Sequence, residues 1–235
     1  MSGVHDYVER LRKLDACAVS DALDKLGLAG AVDGLPQRAS ARRIAGRAVT
    51  VKLVKAGDAP AAAGPPRHLG TTAVETAGPD DVIVVEQRTG IEAGSWGGIL
   101  SLGAKLRGIA GVVADGPVRD IDEARQYDLP VFCAALTART ARGRVAEAGT
   151  NVPVMIRDHA VAPGDYVIAD NSAVVFVAAA DIERVLAAAE QIAAREAAMA
   201  KALQAGKPIT EVMGANYENM LRDPAVQGEC SGGER

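Results

Sequence analysis

The chain opens with apolar residues at helical spacing, Val4, Val8, Leu11 and Leu14, and continues with Val19, Leu23 and Leu26 until Gly27 stops the run. This spacing predicts two short helices. Ile44 to Val54 alternates in part and is rich in β-branched residues, which predicts a strand, and Gly57 to Pro66 then dissolves into Asp, Pro, Ala and Gly as a mobile loop. From Asp81 the pattern changes to short continuous apolar runs. Val82–Val85, Ile109–Ala114 and Val131–Ala134 are separated by helical patterns over Trp96–Leu106 and Asp120–Tyr127, which predicts buried, largely parallel strands in an α/β sandwich. Val152–Ile156, Tyr166–Ala169 and Val174–Val177 follow with only turns between them, which predicts hairpin-connected strands. Asp181 to Leu203 then repeats apolar residues at helical spacing as a long alanine-rich helix, ended by Gly206 and Pro208. Thr210 to Arg235 loses apolar density and is expected to be an arm or tail. The division is one α/β domain over 1–208 and an arm or tail over 209–235.

Composition narrows the function classes. The 235 residues are 49% hydrophobic but only 3% aromatic, so the expected core is built from small aliphatics. A net charge of -4 and a pI near 5.5, without basic runs, argue against nucleic acid as a partner. No apolar stretch approaches a membrane span, and the first residues are charged where a signal peptide is apolar, so a cytoplasmic address is expected. Cys17, Cys133 and Cys230 are widely spaced and form no CxxC, which points to neither a disulfide framework nor a zinc site. Cys17 and Cys133 are expected to be buried small hydrophobes.

The segment from Gly94 to Asp120 carries the candidate chemistry. Gly97 and Gly98 stand at the start of a helical pattern, where unpaired backbone N–H groups and the positive dipole end can cradle a carboxylate or phosphate. The strand Ile109–Ala114 empties into Asp115-Gly-Pro-Val-Arg-Asp120, which sets a guanidinium and carboxylates beyond the carboxyl end of a strand, where ligands of open α/β sheets collect. Arg119 can hold a substrate carboxylate or a developing enolate oxygen, and Asp120 is a hard ligand suited to Mg²⁺ or Mn²⁺. Plainer roles exist for the same residues. Asp120 can cap the helix that follows, Arg119 can make a structural ion pair, Gly97 and Gly98 can form a tight turn, and Asp115-Gly-Pro reads as an ordinary turn.

The run WGG(x)5GAKLRGIAGVVADGPVRD, with Ser20-Asp21-Ala22-Leu23, Ala45 to Thr50 and Ala162 to Asp170 in that order, resembles the family of 4-hydroxy-4-methyl-2-oxoglutarate aldolase and the RraA-like regulators of ribonuclease E, some members of which were once labelled demethylmenaquinone methyltransferases. The resemblance spans about Val19 to Val177. It implies an α/β layered sandwich similar to the phosphohistidine swivelling domain, with a long C-terminal helix, assembled as a homotrimer or homohexamer with sites between subunits. It also implies a divalent-metal-dependent lyase acting on a small 2-oxo acid through a pyruvate enolate. In that reading Asp120 binds a Mg²⁺ or Mn²⁺ ion, Arg119 stabilises the enolate, and the backbone amides of Gly98, Ile99 and Leu100 hold the substrate carboxylate.

One position departs from the aldolases of this family. They carry an acid twenty-one positions before the Arg; here that position is Gly98. Retro-aldol cleavage needs a base for the hydroxyl proton, whereas decarboxylation of oxaloacetate needs enolate stabilisation and later protonation, so the loss bears harder on cleavage. Glu92, or Glu211 or Glu218 of a neighbouring subunit, can substitute. Glu123 lies four residues after Arg119 and can face the site, although a solvated helix face is the plainer expectation. His68 and His159 lack metal-ligand spacing and are expected on loops or the surface. Arg139, Arg142 and Arg144, with Thr137 and Thr140, form a basic loop that can guide an anion or line an interface, and Trp96 is expected to pack beside the cradle. No methyltransferase glycine turn, P-loop or dinucleotide fingerprint is present. Two alternatives stand beside the lyase: a noncatalytic RraA-like regulatory or protein-binding trimer, and a lyase or hydrolase whose substrate brings its own acid group.

Overall fold

The computed structural model describes residues 2–60 and 67–214. Helices α1 (Ser2–Leu11) and α2 (Ala16–Lys25) come first. Asp15 starts α2 by turning its carboxylate onto the Ala18 amide at 2.8 Å, and Gly27, at φ 67°, takes the left-handed conformation that ends it. Ala18, Val19, Ala22 and Leu23 face the core. Cys17, expected to be buried, is exposed instead, because it falls on the other side of α2 from those residues; Cys133 is buried, and burial pushes its thiol up to about 11.

Two short strands, β1 (Ala31–Val32) and β2 (Gln37–Ala39), precede the long β3 (Ile44–Lys55). There follow α3 (Thr71–Thr76), β4 (Asp81–Gln87), α4 (Gly98–Leu106), β5 (Gly111–Val118), α5 (Ile121–Gln126) and β6 (Val131–Leu136). The loop expected over Gly57 to Pro66 begins with a single 3₁₀ turn at Ala56–Asp58, and its residues 61–66 lie outside the described residues. Strands β3, β4, β5 and β6 pair in parallel, as their continuous apolar runs predict, each connection running through one helix.

The second half adds β7 (Val145–Thr150), β8 (Val154–Ile156), β9 (His159–Val161), β10 (Tyr166–Ala169) and β11 (Val174–Val177), then α6 (Ile182–Gln204) and α7 (Ile209–Val212). The main sheet runs β1-β11-β10-β3-β4-β5-β6-β2, with β7 also paired to β3. Because β3 has 12 residues, its first part pairs with β10 and its last part with β7. The hairpin expectation holds for β10 and β11, but β8 pairs with β9 in a separate two-stranded sheet. Asp115-Gly-Pro117 is no turn: it lies inside β5, where Asp115 pairs with Glu86 and a bulge falls between Ala114 and Pro117.

Alternation along the strands divides the core. Val51 and Leu53 of β3, Ile83 and Val85 of β4, and Val112 and Ala114 of β5 share one cluster with residues of α3, α4 and α5. Further along the sheet Ala45, Ile168 and Val175 pack with α1, α2 and α6. The opposite face, through Val82, Val84 and Val113, is covered by Val154, Ile156 and Val161 of the β8–β9 hairpin. The carboxyl ends of β4 and β5 are left to the loops that build the site. Among the described residues no helix is long and apolar enough to cross a membrane.

Candidate active site

Strand β5 ends at Val118, and the chain segment before α4 is stitched alongside that end. Ser95 donates to the Pro117 carbonyl through both its amide and its hydroxyl, each at 2.8 Å, and the Arg119 amide donates to Trp96 O at 3.0 Å. These bonds bring the start of α4 against the residues that follow β5. Asp120 then takes a left-handed backbone conformation at φ 56°, a costly choice for a non-glycine residue and one that re-aims its side chain.

The carboxylate turns away from α5. Although Asp120 occupies the position before α5, it makes no side-chain cap there; its Oδ2 accepts the amide of Gly98 at 3.1 Å, and its Oδ1 accepts Arg119 Nε at 3.1 Å. Asp120 therefore caps α4, two elements earlier in the chain, rather than the helix it precedes. Glycines make the room. A Cβ on Gly94 would lie 2.9 Å from Arg119 Cγ, and one on Gly97 would lie 3.1 Å from Asp120 Oδ2. The pair is about one-third exposed, at 37% for Arg119 and 34% for Asp120, so both charges remain reachable from solvent.

A cavity of about 140 Å³ opens here, and Gly98, Ile99, Leu100, Arg119 and Asp120 all line it. Trp96, 1% exposed, forms its floor and is locked by a relay in which Trp96 Nε1 donates to Ser101 Oγ and Ser101 Oγ donates to Gly97 O, both at 3.0 Å. The packing role expected of Trp96 and its place at the pocket wall are both observed. Thr140 and Ala141 close the cavity on the side of the basic loop. Two arginines of that loop have partners: Arg139 pairs with Glu92 at 2.8 Å, and Arg144 donates to Thr140 O at 3.2 Å.

Other candidate acids separate clearly. Glu92 is held by Arg139, and Glu211 on α7 pairs with Lys207 at 3.3 Å; Glu218 lies outside the described residues. Asp115 is 5% exposed and serves the opposite face of the sheet, where it accepts the Arg157 amide at 2.7 Å. His159 stacks on Phe176 at 5.8 Å, and burial lowers its pKa. Glu123 comes closer: a Cβ built on Gly98 would lie 3.3 Å from Glu123 Cβ and 3.2 Å from Asp120 Cβ, so the stem of Glu123 borders the space that a side chain at position 98 would enter.

His68 lies on an exposed loop, as expected, and from there lines the same cavity. No spacing in the sequence relates it to Arg119 or Asp120. The only local signal is its place just before Gly70, whose φ of 76° makes the turn that starts α3 and sets this segment against Trp96 and Leu100.

Among the described residues no group of three or more His, Cys, Asp or Glu is gathered to hold a metal ion. A single exposed carboxylate suits a hard cation such as Mg²⁺, which keeps several waters and takes one or two carboxylates together with substrate oxygens. Asp120, about one-third exposed, is the carboxylate at this cavity.

Residues 16–176 match the family model described as RraA-like, Aldolase/RraA. The chain belongs to the RraA-like family. Within it, the chain is 28% identical over 198 residues to a protein of Halalkalibacterium halodurans provisionally named 4-hydroxy-4-methyl-2-oxoglutarate aldolase, covering 84% of this chain and 89% of the relative. It is 27% identical over 175 residues to the protein DlpA of Legionella pneumophila; that match covers 73% of this chain but spans only 27% of DlpA. Among solved structures, an uncharacterized protein of Pseudomonas syringae pv. tomato superposes with a TM-score of 0.79 at 25% identity, covering 89% of this RraA-like chain and 98% of the other. The mixed α/β architecture with its long C-terminal helix is thus shared.

Proposed function

We propose that this RraA-like protein is a divalent-metal-dependent lyase that acts on a small 2-oxo acid through a pyruvate enolate, of the 4-hydroxy-4-methyl-2-oxoglutarate aldolase or oxaloacetate decarboxylase type. The observation that carries the reading is the Arg119–Asp120 pair, fixed side by side at the carboxyl end of β5 and over the first turn of α4. A bound Mg²⁺ or Mn²⁺ would act there as a Lewis acid toward the 2-oxo acid oxygens. Asp120 would hold the ion. Arg119, braced by Gly94 and by its own bond to Asp120, places a guanidinium where enolate charge develops; the Gly98 amide is taken by Asp120, so the substrate carboxylate falls to the amides of Ile99 and Leu100. Trp96 and Leu69, both buried, form the apolar part of the cavity lining. Glu123 is exposed on α5, as expected of a solvated helix face, and only its stem borders the space beside Gly98.

Ile99 and Leu106 are 83% and 78% exposed on α4, and Ile99 sits at the cavity itself. An exposed apolar side chain at the mouth of a polar site, that of Ile99, suits closure by a neighbouring subunit, which supports assembly as a homotrimer or homohexamer. The second reading is a noncatalytic regulatory trimer. It is favoured by Gly98, which has no acid, and by the Gly98 amide being already occupied by Asp120.

Pyruvate release decides between them, measured from oxaloacetate and from 4-hydroxy-4-methyl-2-oxoglutarate with Mg²⁺ and with EDTA. The lyase reading predicts Mg²⁺-dependent release from at least one substrate. No release from either with any divalent ion leaves the regulatory reading.

A further inference from the structure

Carbon–carbon cleavage of a 4-hydroxy-2-oxo acid needs a group that removes the hydroxyl proton, and the Arg119–Asp120 pair does not supply one. Arg119 is a permanent cation, and Asp120, which accepts from Gly98 and Arg119, is the carboxylate assigned to the ion. Gly98 has no side chain. Another wall of the same cavity carries an imidazole, that of His68.

Its geometry fixes its chemistry. His68 Nδ1 lies 3.0 Å from the carbonyl oxygen of Leu69. A carbonyl only accepts, so this contact suits the tautomer with its proton on Nδ1, in which Nε2 is left as an acceptor. The backbone beneath is pinned as well. His68 O accepts the Thr71 hydroxyl at 2.7 Å and the Thr71 amide at 3.3 Å, and Gly70 N donates to Glu147 Oε2 at 2.7 Å. Gly70 also rests against the cavity floor, since a Cβ there would lie 3.2 Å from both Trp96 Cζ3 and Leu100 Cδ1. His68 is therefore an exposed loop residue whose backbone is anchored at the edge of the cavity.

Resting on the lyase reading above, we propose that His68 is the general base, and then the general acid, of carbon–carbon cleavage at this site. Nε2 takes the C4 hydroxyl proton. The C4–O bond becomes a carbonyl as the C3–C4 bond breaks, and the electron pair passes into a C2–C3 double bond with its charge on the C2 oxygen, beside Arg119. The imidazolium returns the same proton to C3, which yields pyruvate and restores Nε2. From 4-hydroxy-4-methyl-2-oxoglutarate both fragments are pyruvate. Oxaloacetate has no hydroxyl proton to remove, so its decarboxylation does not need His68, and water can supply the final proton.

The test combines a spectroscopic readout with a substrate split. The chain has three histidines, His5, His68 and His159, so the imidazole NMR signals of the full-length protein are few, and His68→Gln assigns one of them. Oxalate, a stable mimic of the enolate, is titrated with Mg²⁺ while calorimetry reports its binding. The proposal predicts that the His68 signal moves with oxalate saturation. It also predicts that His68→Gln loses about 10²-fold or more of release from 4-hydroxy-4-methyl-2-oxoglutarate while oxaloacetate turnover stays within about threefold. Oxalate bound with the His68 signal unmoved, or a variant that loses both activities equally or neither, overturns the role of His68 and leaves the lyase reading standing. Absence of both oxalate binding and pyruvate release overturns the lyase reading, and the inference with it.

Discussion

Asp120 Oδ2 lies 3.1 Å from the backbone nitrogen of Gly98, so the carboxylate that follows β5 is held by the first amide of α4. This contact joins the two parts of the glycine-rich segment into one site. The left-handed turn at Asp120 and the close approach at Gly97 exist to make it.

Arg119 uses Nε to hold Asp120, and lysine has a single nitrogen that cannot hold the carboxylate and also face a substrate oxygen in the same fixed plane. Arg119→Lys is expected to lower kcat for pyruvate release by about 10²-fold with a smaller change in KM, measured by steady-state kinetics. An unchanged kcat would remove Arg119 from the chemistry.

Gly94→Ala places a methyl group 2.9 Å from Arg119 Cγ and 3.0 Å from Arg119 Cδ. The guanidinium must move, and displacement of about 1 Å is enough to cost on the order of 10²-fold in rate. The expected result is a variant with wild-type circular dichroism and strongly reduced turnover.

Ser101→Ala breaks the relay from Trp96 Nε1 through Ser101 Oγ to Gly97 O and leaves the indole N–H buried without its partner. An unpaired buried donor costs about 1–3 kcal/mol, and each kcal/mol lowers Tm by about 2–4 °C in a domain of this size. Calorimetry should show that loss.

Asp21 gives a pH-dependent test away from the site. Burial, then the neighbouring Asp24 and Asp15, push its carboxyl above the ordinary Asp value, and Glu196 of α6 is raised by burial and by Asp15 and Asp21. A raised carboxyl penalises the fold where it is charged, so Asp21→Asn should raise Tm at pH 7. The gain should shrink as pH falls through the raised pKa of Asp21 and vanish once the wild-type carboxyl is protonated in both folded and unfolded chains. A gain that persists at low pH would contradict this account.

The parallel strands were legible because β4, β5 and β6 are buried on both faces and read as unbroken apolar runs. Strand β7 was not, because Val145–Thr150 is half-exposed along most of its length and its register comes from the far half of β3. Asp115-Gly-Pro117 carries turn chemistry, yet it stays in β5 because Gly116 lies against Gln87, where a Cβ would fall 2.7 Å from Gln87 Cβ. Residues 98–100, 119 and 120 were found together because one short segment holds them all. The exposed loop place of His68 was legible, but its position at that cavity comes only from the tertiary fold, and the capping of α4 by Asp120 was missed because the left-handed turn at Asp120 is invisible in residue type.

The most direct test of the site is the initial rate of pyruvate release from oxaloacetate at saturating Mg²⁺, compared between the wild-type protein and Asp120→Ala. The account predicts Mg²⁺-dependent release by the wild type and a loss of about 10²-fold or more in the variant. Equal rates in the two proteins, or a wild-type rate indifferent to EDTA, would contradict the assignment of Asp120 as the ligand of a catalytic metal ion.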